Sequence, residues 1–485
     1  MVFLQIVSKD GLGSRCLAKE RRLARPIRPI FLIAFLMIFL SSLGVQRALA
    51  LTMEEERKLG DQVVQEVAAK FTLIQDSVLL GYLNQLGQET LQSAGPQPYP
   101  FRFYLLKDSQ LNAFSVPGGH IFISTGIVEV MESEAELAGL IGHEIAHVTA
   151  HHISRRIEKE KKISLATMAI ALASIFAGDP RIASAAIAGS MATGLSLSLK
   201  YSREDEEESD NLGFKYMSKA GFDPKGMIDL LDKLRRWGSF GSEIVPVYMQ
   251  THPSTGDRIS NMEFLRQRYL DQVTVSRTNS ENFHRFQTII LAKYGDIPKI
   301  RNRFLLWGKD PQMSFWVHYG QGWLHVREGN FEKAIKEFET TLALKPYDPN
   351  LLRDLGQAYL SKGQTDLALQ KLGQASILSP RDPSTAFLLG KAYQEKGDYP
   401  LALDNLLRAL ALRPYDGEIH YTLGVVYGNL KDLAQAHYHF GKSFNIKGDP
   451  GKATFHFQTA LKYAGGDEKK KELIEGELKP LKEKK

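Results

Sequence analysis

The residues best suited to chemistry are two histidines that flank a glutamate, in the segment His143-Glu144-Ile145-Ala146-His147. On a helix the two histidines lie one turn apart and face the same side, so both imidazoles can bind one zinc ion. Glu144 then lies beside a zinc-bound water and can accept its proton as the water attacks a peptide carbonyl. The flanking apolar residues argue against a surface helix, because buried imidazoles without a metal would lack partners. The motif predicts a zinc endopeptidase.

A third ligand is needed, since catalytic zinc normally takes three protein ligands and leaves the fourth position to water. The acidic segment 203–210 is the obvious source. Glu206 and Asp210 are four residues apart, hence on one helical face, so Glu206 could bind zinc while Asp210 orients an imidazole. Glu207 and Glu208 would point elsewhere. The alternative is that the segment is a solvated run of charge.

Several elements must position these residues. Segments 53–70 and 76–93 have an amphipathic helical pattern, and 101–106 alternates as a strand does. Residues 112–124 indicate two strands joined by a Pro117-Gly118-Gly119 turn. Residues 132–152 are predicted to be helical. We therefore predict a mainly α protein whose α+β metallopeptidase domain covers residues 51–267, followed by an all-α repeat array.

The second half of the chain repeats every 34 residues, which is typical of tetratricopeptide helix-turn-helix units. Residues 315–465 are predicted to form this array, with 268–314 as a linker with irregular helices and 466–485 as a charged tail. Such arrays present a concave surface suited to a protein partner. The alternative is a structural stalk without a ligand. The repeating columns are Gly322, Gly356, Gly390, Gly424; Ala334, Ala368, Ala402, Ala436; and Phe338, Leu372, Leu406, Phe440.

The first fifty residues are predicted to be an export signal. Basic residues precede an apolar stretch from Ile30 to Val45 that ends in Ala48-Leu49-Ala50, a small-x-small cleavage pattern. The alternative is an uncleaved membrane anchor. Both interpretations place the rest of the chain outside the cytoplasm, and we predict the periplasm. The single cysteine, Cys16, lies in this leader, so a disulfide framework or a cysteine nucleophile is excluded from the mature chain.

The net charge of +6 comes entirely from the leader. Residues 51–485 carry 53 basic and 53 acidic residues. The basic isoelectric point is therefore no indication of nucleic-acid binding, and we predict none.

Taken together, several motifs resemble the gluzincin peptidase family that contains the CAAX prenyl protease, HtpX and Oma-type enzymes. They are the Asn112-Ala113-Phe114 hairpin, the lead-in to HEIAH, the ExxxD pair, and Thr251-His252-Pro253 followed by Arg258. The resemblance implies His143, His147 and Glu206 as ligands of one zinc ion and Glu144 as the general base.

The resemblance also implies a role for His252. In relatives that carry such repeats, a histidine placed like His252 approaches the zinc and holds the enzyme latent. An imidazole in the fourth zinc position would expel the attacking water. Two alternatives stay open: His252 stabilises the oxyanion of the tetrahedral intermediate, or it is an ordinary loop histidine. His151 and His152 are not expected to bind the ion, because its ligand set is already complete.

Residues 163–199 are apolar but broken by Gly178-Asp179-Pro180-Arg181. A membrane span needs about 20 strongly apolar residues, so we predict a plug or lid over the site that touches the membrane surface, with a spanning hairpin as the alternative.

The motifs predict a zinc endopeptidase, and the resemblance implies a role in envelope protein quality control. It implies that the substrates are misfolded or stalled envelope proteins and that the repeats dock on the outer-membrane assembly machinery. The alternative is a chaperone or scaffold in which the repeats do the main work and the protease site stays latent.

Overall fold

The computed structural model describes residues 51–159, 165–176, 201–239, 246–253, 256–269, 277 and 279–483. The predicted export signal, residues 1–50, lies outside this part, as does most of the predicted plug. Residues 51–485 form one compact unit. It is mainly helical with one small sheet, as predicted from the sequence.

The sheet has three strands, β1 (Arg102–Leu106), β2 (Ala113–Val116) and β3 (His120–Ser124), in the order β1-β3-β2. β1 pairs with β3 in parallel, and β2 pairs with β3 antiparallel. The predicted hairpin is confirmed: Gly118 and Gly119 both have positive φ, 82° and 84°, in the turn between β2 and β3. L side chains rarely adopt this conformation, which explains the two glycines.

Ten helices are described in the part of the chain that surrounds the sheet. Ser133 begins the zinc-motif helix as an N-cap that accepts a hydrogen bond from Glu136 N, and Ser202 begins the acidic helix in a capping box with Asp205. The helices are α1 (Met53–Lys70), α2 (Ser77–Gln92), α3 (Thr125–Val130), α4 (Glu134–Thr149), α5 (His152–Lys159), α6 (Leu165–Phe176), α7 (Arg203–Lys219), α8 (Lys225–Ser239), α9 (Val247–Thr251) and α10 (Gly256–Tyr269).

Helices α4 and α7 approach each other backbone to backbone. A Cβ added at Gly142 would lie 3.0 Å from Gly213 O, and one added at Gly213 would lie 2.8 Å from His143 N. Only glycines allow this approach without displacing a helix. The crossing therefore brings the zinc motif on α4 and the acidic face of α7 together.

Helix α6 is the described part of the predicted plug. It packs against α1 and buries Met168, Ala169, Leu172 and Ala173, while Ile170 stays half exposed. The rest of residues 163–199 lies outside the described part of the chain. Among the residues that the structure describes, no helix is both long enough and apolar enough to span a membrane.

The second half is a succession of helices. They are α11 (Glu281–Tyr294), α12 (Ile297–Trp307), a 3-10 turn (Pro311–Met313), α13 (Ser314–Arg327), α14 (Phe331–Leu344), α15 (Pro349–Ser361), α16 (Thr365–Leu378), α17 (Pro383–Lys396), α18 (Tyr399–Leu412), α19 (Gly417–Asn429), α20 (Leu433–Ile446), α21 (Pro450–Tyr463) and α22 (Glu468–Glu483).

The 34-residue columns interlock within each helix pair. A Cβ at Gly322 would lie 2.5 Å from the Phe338 ring, and Gly356 and Gly390 oppose Leu372 and Leu406 in the same way. Each glycine leaves room for the large side chain of the following helix, which explains why both columns keep one period.

The repeats pack directly on the first half of the chain. One continuous apolar core runs from α2 and α4 through α11 into α15 and α17. At its border Lys293 Nζ lies 2.8 Å from Asp76 Oδ2, and Ser77 Oγ lies 2.7 Å from Ser384 Oγ. The domain boundaries taken from the sequence remain a prediction.

Candidate metal centre

Four side chains from three separate parts of the chain converge beneath the surface. His143 and His147 come from α4, Glu206 from α7, and His252 from the residue that follows α9. Each offers one ligand atom, and these atoms all lie within 4.8 Å of one another. All four side chains are buried. The structure therefore brings together the three predicted ligands and the predicted switch histidine.

The distances within the cluster define a common centre. Nε2 of His143 lies 2.9 Å from Nε2 of His147, and the two nitrogens lie 3.6 Å from Oε2 and Oε1 of Glu206, respectively. Nδ1 of His252 lies 3.4 Å from Nε2 of His143 and 2.9 Å from Oε1 of Glu206. His252 thus faces the same point as the three predicted ligands.

Glu144 is buried next to this centre. Among the described residues neither of its carboxylate oxygens has a hydrogen-bond partner. Its nearest basic group is Nε2 of His252, 3.7 Å from Oε1. A buried carboxylate without partners is costly, which favours a polar or charged occupant beside it.

Asp210 lies behind His143, one helical turn beyond Glu206. Its Oδ1 is 3.0 Å from Nδ1 of His143, the nitrogen that faces away from the centre. This contact orients the ring and leaves Nε2 free to bind a metal. The structure places Asp210 where the sequence predicted an orienting carboxylate.

Arg258 is a residue of the site to which sequence analysis gave no role. It lies on α10, and its Nε and Nη2 donate to Oδ2 and Oδ1 of Asp210, both at 2.7 Å. Its Nη1 lies 2.5 Å from Oε2 of Glu206 and donates to Pro253 O at 3.1 Å. One buried guanidinium therefore holds both carboxylates of α7 and the loop that follows His252. From the sequence, Arg258 could be identified only as a residue of the family motif, because no neighbouring pattern indicates its contact with α7.

His252 is held between two aromatic rings. Tyr248 stacks on it with centroids 4.5 Å apart, and Tyr201 lies on another side at 4.8 Å. The backbone N–H of Tyr201 donates to Thr251 O at 3.1 Å. Neither tyrosine was a sequence-predicted site residue. Together they fix the imidazole in the position that faces the predicted ligands.

The remaining nearby histidines and acids lie outside the cluster. His152 Nδ1 lies 2.8 Å from Nδ1 of His147, and His152 Nε2 contacts Glu208 at 3.1 Å. His151 contacts Glu56 at 2.9 Å. Glu207 is exposed. His152 thus contacts the side of His147 that faces away from the centre, and Glu208 is exposed as well as Glu207.

Burial and charge set the protonation of the cluster. Burial opposes ionisation of Glu206, but His252 and Arg258 outweigh it and lower the pKa of Glu206. Burial likewise opposes ionisation of Asp210, and Arg258 lowers the pKa of Asp210. Burial and the neighbouring histidines lower the pKa of His147. A divalent metal requires deprotonated ligands, and charged carboxylates beside a neutral imidazole meet this requirement.

The residues present fit a zinc ion. Two imidazoles and one carboxylate form a ligand set found in catalytic zinc sites. Both oxygens of Glu144 lack hydrogen bonds among the described residues, so buried polar atoms remain for an ion and a water to satisfy. His143, His147 and Glu206 would hold the ion, and His252 is placed to add a fourth ligand.

A small pocket lies beside His147. It is lined by Ser115, Val116 and Pro117 of the hairpin and by His151, Ile153 and Ser154 near the start of α5. The β2–β3 hairpin therefore forms one wall of the space next to the cluster.

Comparison with known proteins agrees with this geometry. Residues 79–265 match the model of peptidase family M48. Residues 319–384 match a tetratricopeptide repeat, and residues 390–431 match a further TPR repeat. Fold and site thus define a chain that joins a domain of the M48 peptidase type to tetratricopeptide repeats, which confirms the predicted family resemblance.

The similar proteins include metalloproteases with curated names. The chain is 27% identical to the beta-barrel assembly-enhancing protease of Escherichia coli strain K12 over 63% of each chain, and 30% identical to that of Yersinia pestis over 46% of each. It is 26% identical to the mitochondrial metalloendopeptidase OMA1 of Schizosaccharomyces pombe over 42% of this chain and 56% of that one. The match spans 63% of the length of the first of these relatives.

Proposed function

We propose that this chain is a zinc-dependent endopeptidase that acts in envelope protein quality control. The observation that carries the proposal is the convergence of His143, His147 and Glu206 on one buried centre, with the carboxylate of Glu144 beside it. The match of residues 79–265 to peptidase family M48 supports the same conclusion.

Glu144 would act as the general base. A bound zinc supplies a Lewis acid and lowers the pKa of a water molecule in the site. Glu144 would take a proton from the attacking water and return it to the leaving amine. Asp210, fixed by Arg258, would keep His143 in the orientation that leaves Nε2 for the metal.

His252 would hold the enzyme in a latent state. Its Nδ1 faces the common centre, where it would occupy the position that the attacking water needs. Activity would then require His252 to leave, and its loop contacts, Arg258 to Pro253 O and Tyr201 N to Thr251 O, would have to change.

The cellular setting is proposed from the relatives. Their name, beta-barrel assembly-enhancing protease, supports action in the periplasm on misfolded or stalled envelope proteins, with the repeats docking on the outer-membrane assembly machinery. Cleavage after Ala50 would release a mature chain that begins at Leu51. N-terminal sequencing of the exported protein tests this, and a chain that begins at Met1 in the membrane fraction would establish an anchor instead.

The alternative function is a scaffold whose repeats act while the protease site stays latent. The position of His252 favours this alternative. Glu144→Gln separates the two functions, because it removes the base and leaves the three predicted ligands and the repeat array in place. We expect purified Glu144→Gln protein to keep its zinc and to lose proteolysis by more than about a thousandfold. Cells that carry this variant should fail in envelope quality control, and intact quality control would support the scaffold.

A further inference from the structure

One edge of the repeat array carries an unusual row of exposed apolar side chains. Tyr347, Ile377 and Tyr415 are each 81% exposed. Three leucines beside them are about half exposed. We call this set the turn ridge, and its members are Leu344, Tyr347, Ile377, Leu378, Leu412 and Tyr415.

The ridge follows from the repeat. Leu344, Leu378 and Leu412 are the last residues of α14, α16 and α18, and Tyr347 and Tyr415 occupy the same place in the turns that follow α14 and α18. These helices end in Thr-Leu-Ala-Leu, Ala-Ser-Ile-Leu and Ala-Leu-Ala-Leu, without any charged residue. Three consecutive turns therefore present apolar groups along a single edge of the solenoid.

The carboxylates of these turns are engaged by the protein itself. Asp348, Asp382 and Asp416 each cap the following helix through backbone N–H groups. Asp382 also lies 3.3 Å from the buried guanidinium of Arg353, and Asp416 lies 3.3 Å from Arg413. The aspartates therefore contribute little negative charge to the outer face of the ridge.

The middle turn adds exposed positive charge. Arg381 lies in this turn, and Arg408 of α18 donates to Pro380 O at 3.3 Å. Within the described part of the chain no carboxylate lies at ion-pair distance from either guanidinium. The ridge thus combines tyrosines and aliphatic side chains with cationic groups, which is the composition of protein surfaces that lie at a membrane interface.

We propose that the turn ridge docks the repeat array on an anionic lipid surface. The ridge side chains are about half exposed or more, so they can contact a broad surface without a change in the fold. Their repetition along one edge lets all three turns meet a broad, deformable surface at once. Arg381 and Arg408 match the charge of acidic headgroups, to which each basic side chain near the surface adds attraction.

Vesicle sedimentation tests the proposal with the mature chain, residues 51–485. The probes are vesicles of phosphatidylcholine alone and of phosphatidylcholine with phosphatidylglycerol. The ridge variant is Tyr347→Ser, Ile377→Ser, Tyr415→Ser. The control variant is Leu367→Ser, Leu401→Ser, which alters leucines 41% and 44% exposed on α16 and α18 but at the opposite ends of these helices. Circular dichroism checks that both variants remain folded.

We expect the wild-type chain and the control to sediment with the anionic vesicles and to be released by added salt. The ridge variant should lose at least about tenfold in partitioning. If the wild-type chain does not sediment with the vesicles, the ridge binds a protein partner instead of lipid and the proposal is wrong. If the ridge variant binds as well as the wild type, the lipid contact lies elsewhere, for example in residues 163–199, and the proposal is equally wrong.

Discussion

At the scale of single residues, we expect zinc binding to depend most on Glu206. Glu206→Gln should weaken zinc affinity by more than about a hundredfold, because it removes the charged ligand, whereas Asp210→Asn should cost about 10–100-fold through misorientation of His143. Metal analysis after dialysis against a chelator measures both. Glu207→Gln is the matched control, since this exposed neighbour should leave affinity unchanged. Equal losses in Glu206→Gln and Glu207→Gln would show that another residue is the third ligand.

The two roles considered for His252 predict opposite effects of its replacement. If His252 holds the enzyme in a latent state, His252→Ala should cleave an unfolded protein substrate faster than the wild type at unchanged zinc content. If it stabilises the oxyanion, the same change should slow cleavage by about a hundredfold or more. Initial rates with a fluorescent casein measure the difference, and His318→Ala, a partly buried histidine of the repeats, serves as the control.

A contact of the site could be predicted from the sequence only where its residues lie close together in the chain. The pair His143 and His147, and the pair Glu206 and Asp210, are each set by one helical turn, so spacing alone places their members on a common face. Arg258 lies 48 residues from Asp210, and the Tyr201 ring lies 4.8 Å from that of His252, which belongs to a different element. Such contacts exist only after α7, α9 and α10 have packed, and no local pattern encodes them.

At the scale of elements, the crossing of α4 and α7 controls the site through two glycines. Gly213→Ala places a Cβ 2.8 Å from His143 N and should push the helices apart. We expect a loss of about 1–3 kcal/mol in the free energy of unfolding, together with weaker zinc binding. Urea unfolding and metal analysis measure the two effects.

Gly81→Ala is the matched control for this prediction. Gly81 lies inside α2, and nothing lies within 4 Å of an added Cβ there. Because alanine favours a helix over glycine by up to about 1 kcal/mol, this change should be neutral or stabilising. A Gly213→Ala protein as stable as Gly81→Ala would contradict the role assigned to the crossing.

Most elements could be predicted because their signals are local. The Pro-Gly-Gly turn, the strand alternation and the 34-residue columns each correspond to an observed element. Residues 281–294 lie within the segment predicted as a linker with irregular helices, and they form α11, which is buried on several faces between α3 and α13. Its surroundings come from distant parts of the chain, so its apolar pattern could not reveal how completely it is enclosed.

At the scale of the whole molecule, stability should depend on pH through a histidine pair in the last repeats. Nδ1 of His420 lies 2.9 Å from Nδ1 of His439, and both side chains are buried. Burial, with the charges of His420 and Lys442, lowers the pKa of His439 from 6.5 to about 3. The unfolded chain therefore binds a proton that the folded chain excludes, and stability should fall by up to about 1.4 kcal/mol per pH unit as the pH drops from 6.5 towards 3.

Thermal unfolding between pH 7 and pH 5, followed by circular dichroism, measures this loss. His439→Asn should lower stability at pH 7 and make the pH dependence shallower. Burial also lowers the pKa of His420, so the slope of the variant should not vanish. An unchanged slope in His439→Asn would show that acid acts on the protein through other groups.

Arg258 forms ion pairs with two carboxylates and therefore affects the net charge of the centre. Glu206 and Asp210, whose pKa values are lowered, contribute two negative charges, and the guanidinium contributes one positive charge. These three groups together leave one negative charge beside the histidines. Removing the guanidinium would double that charge, so Arg258 helps to set how much positive charge this buried volume favours.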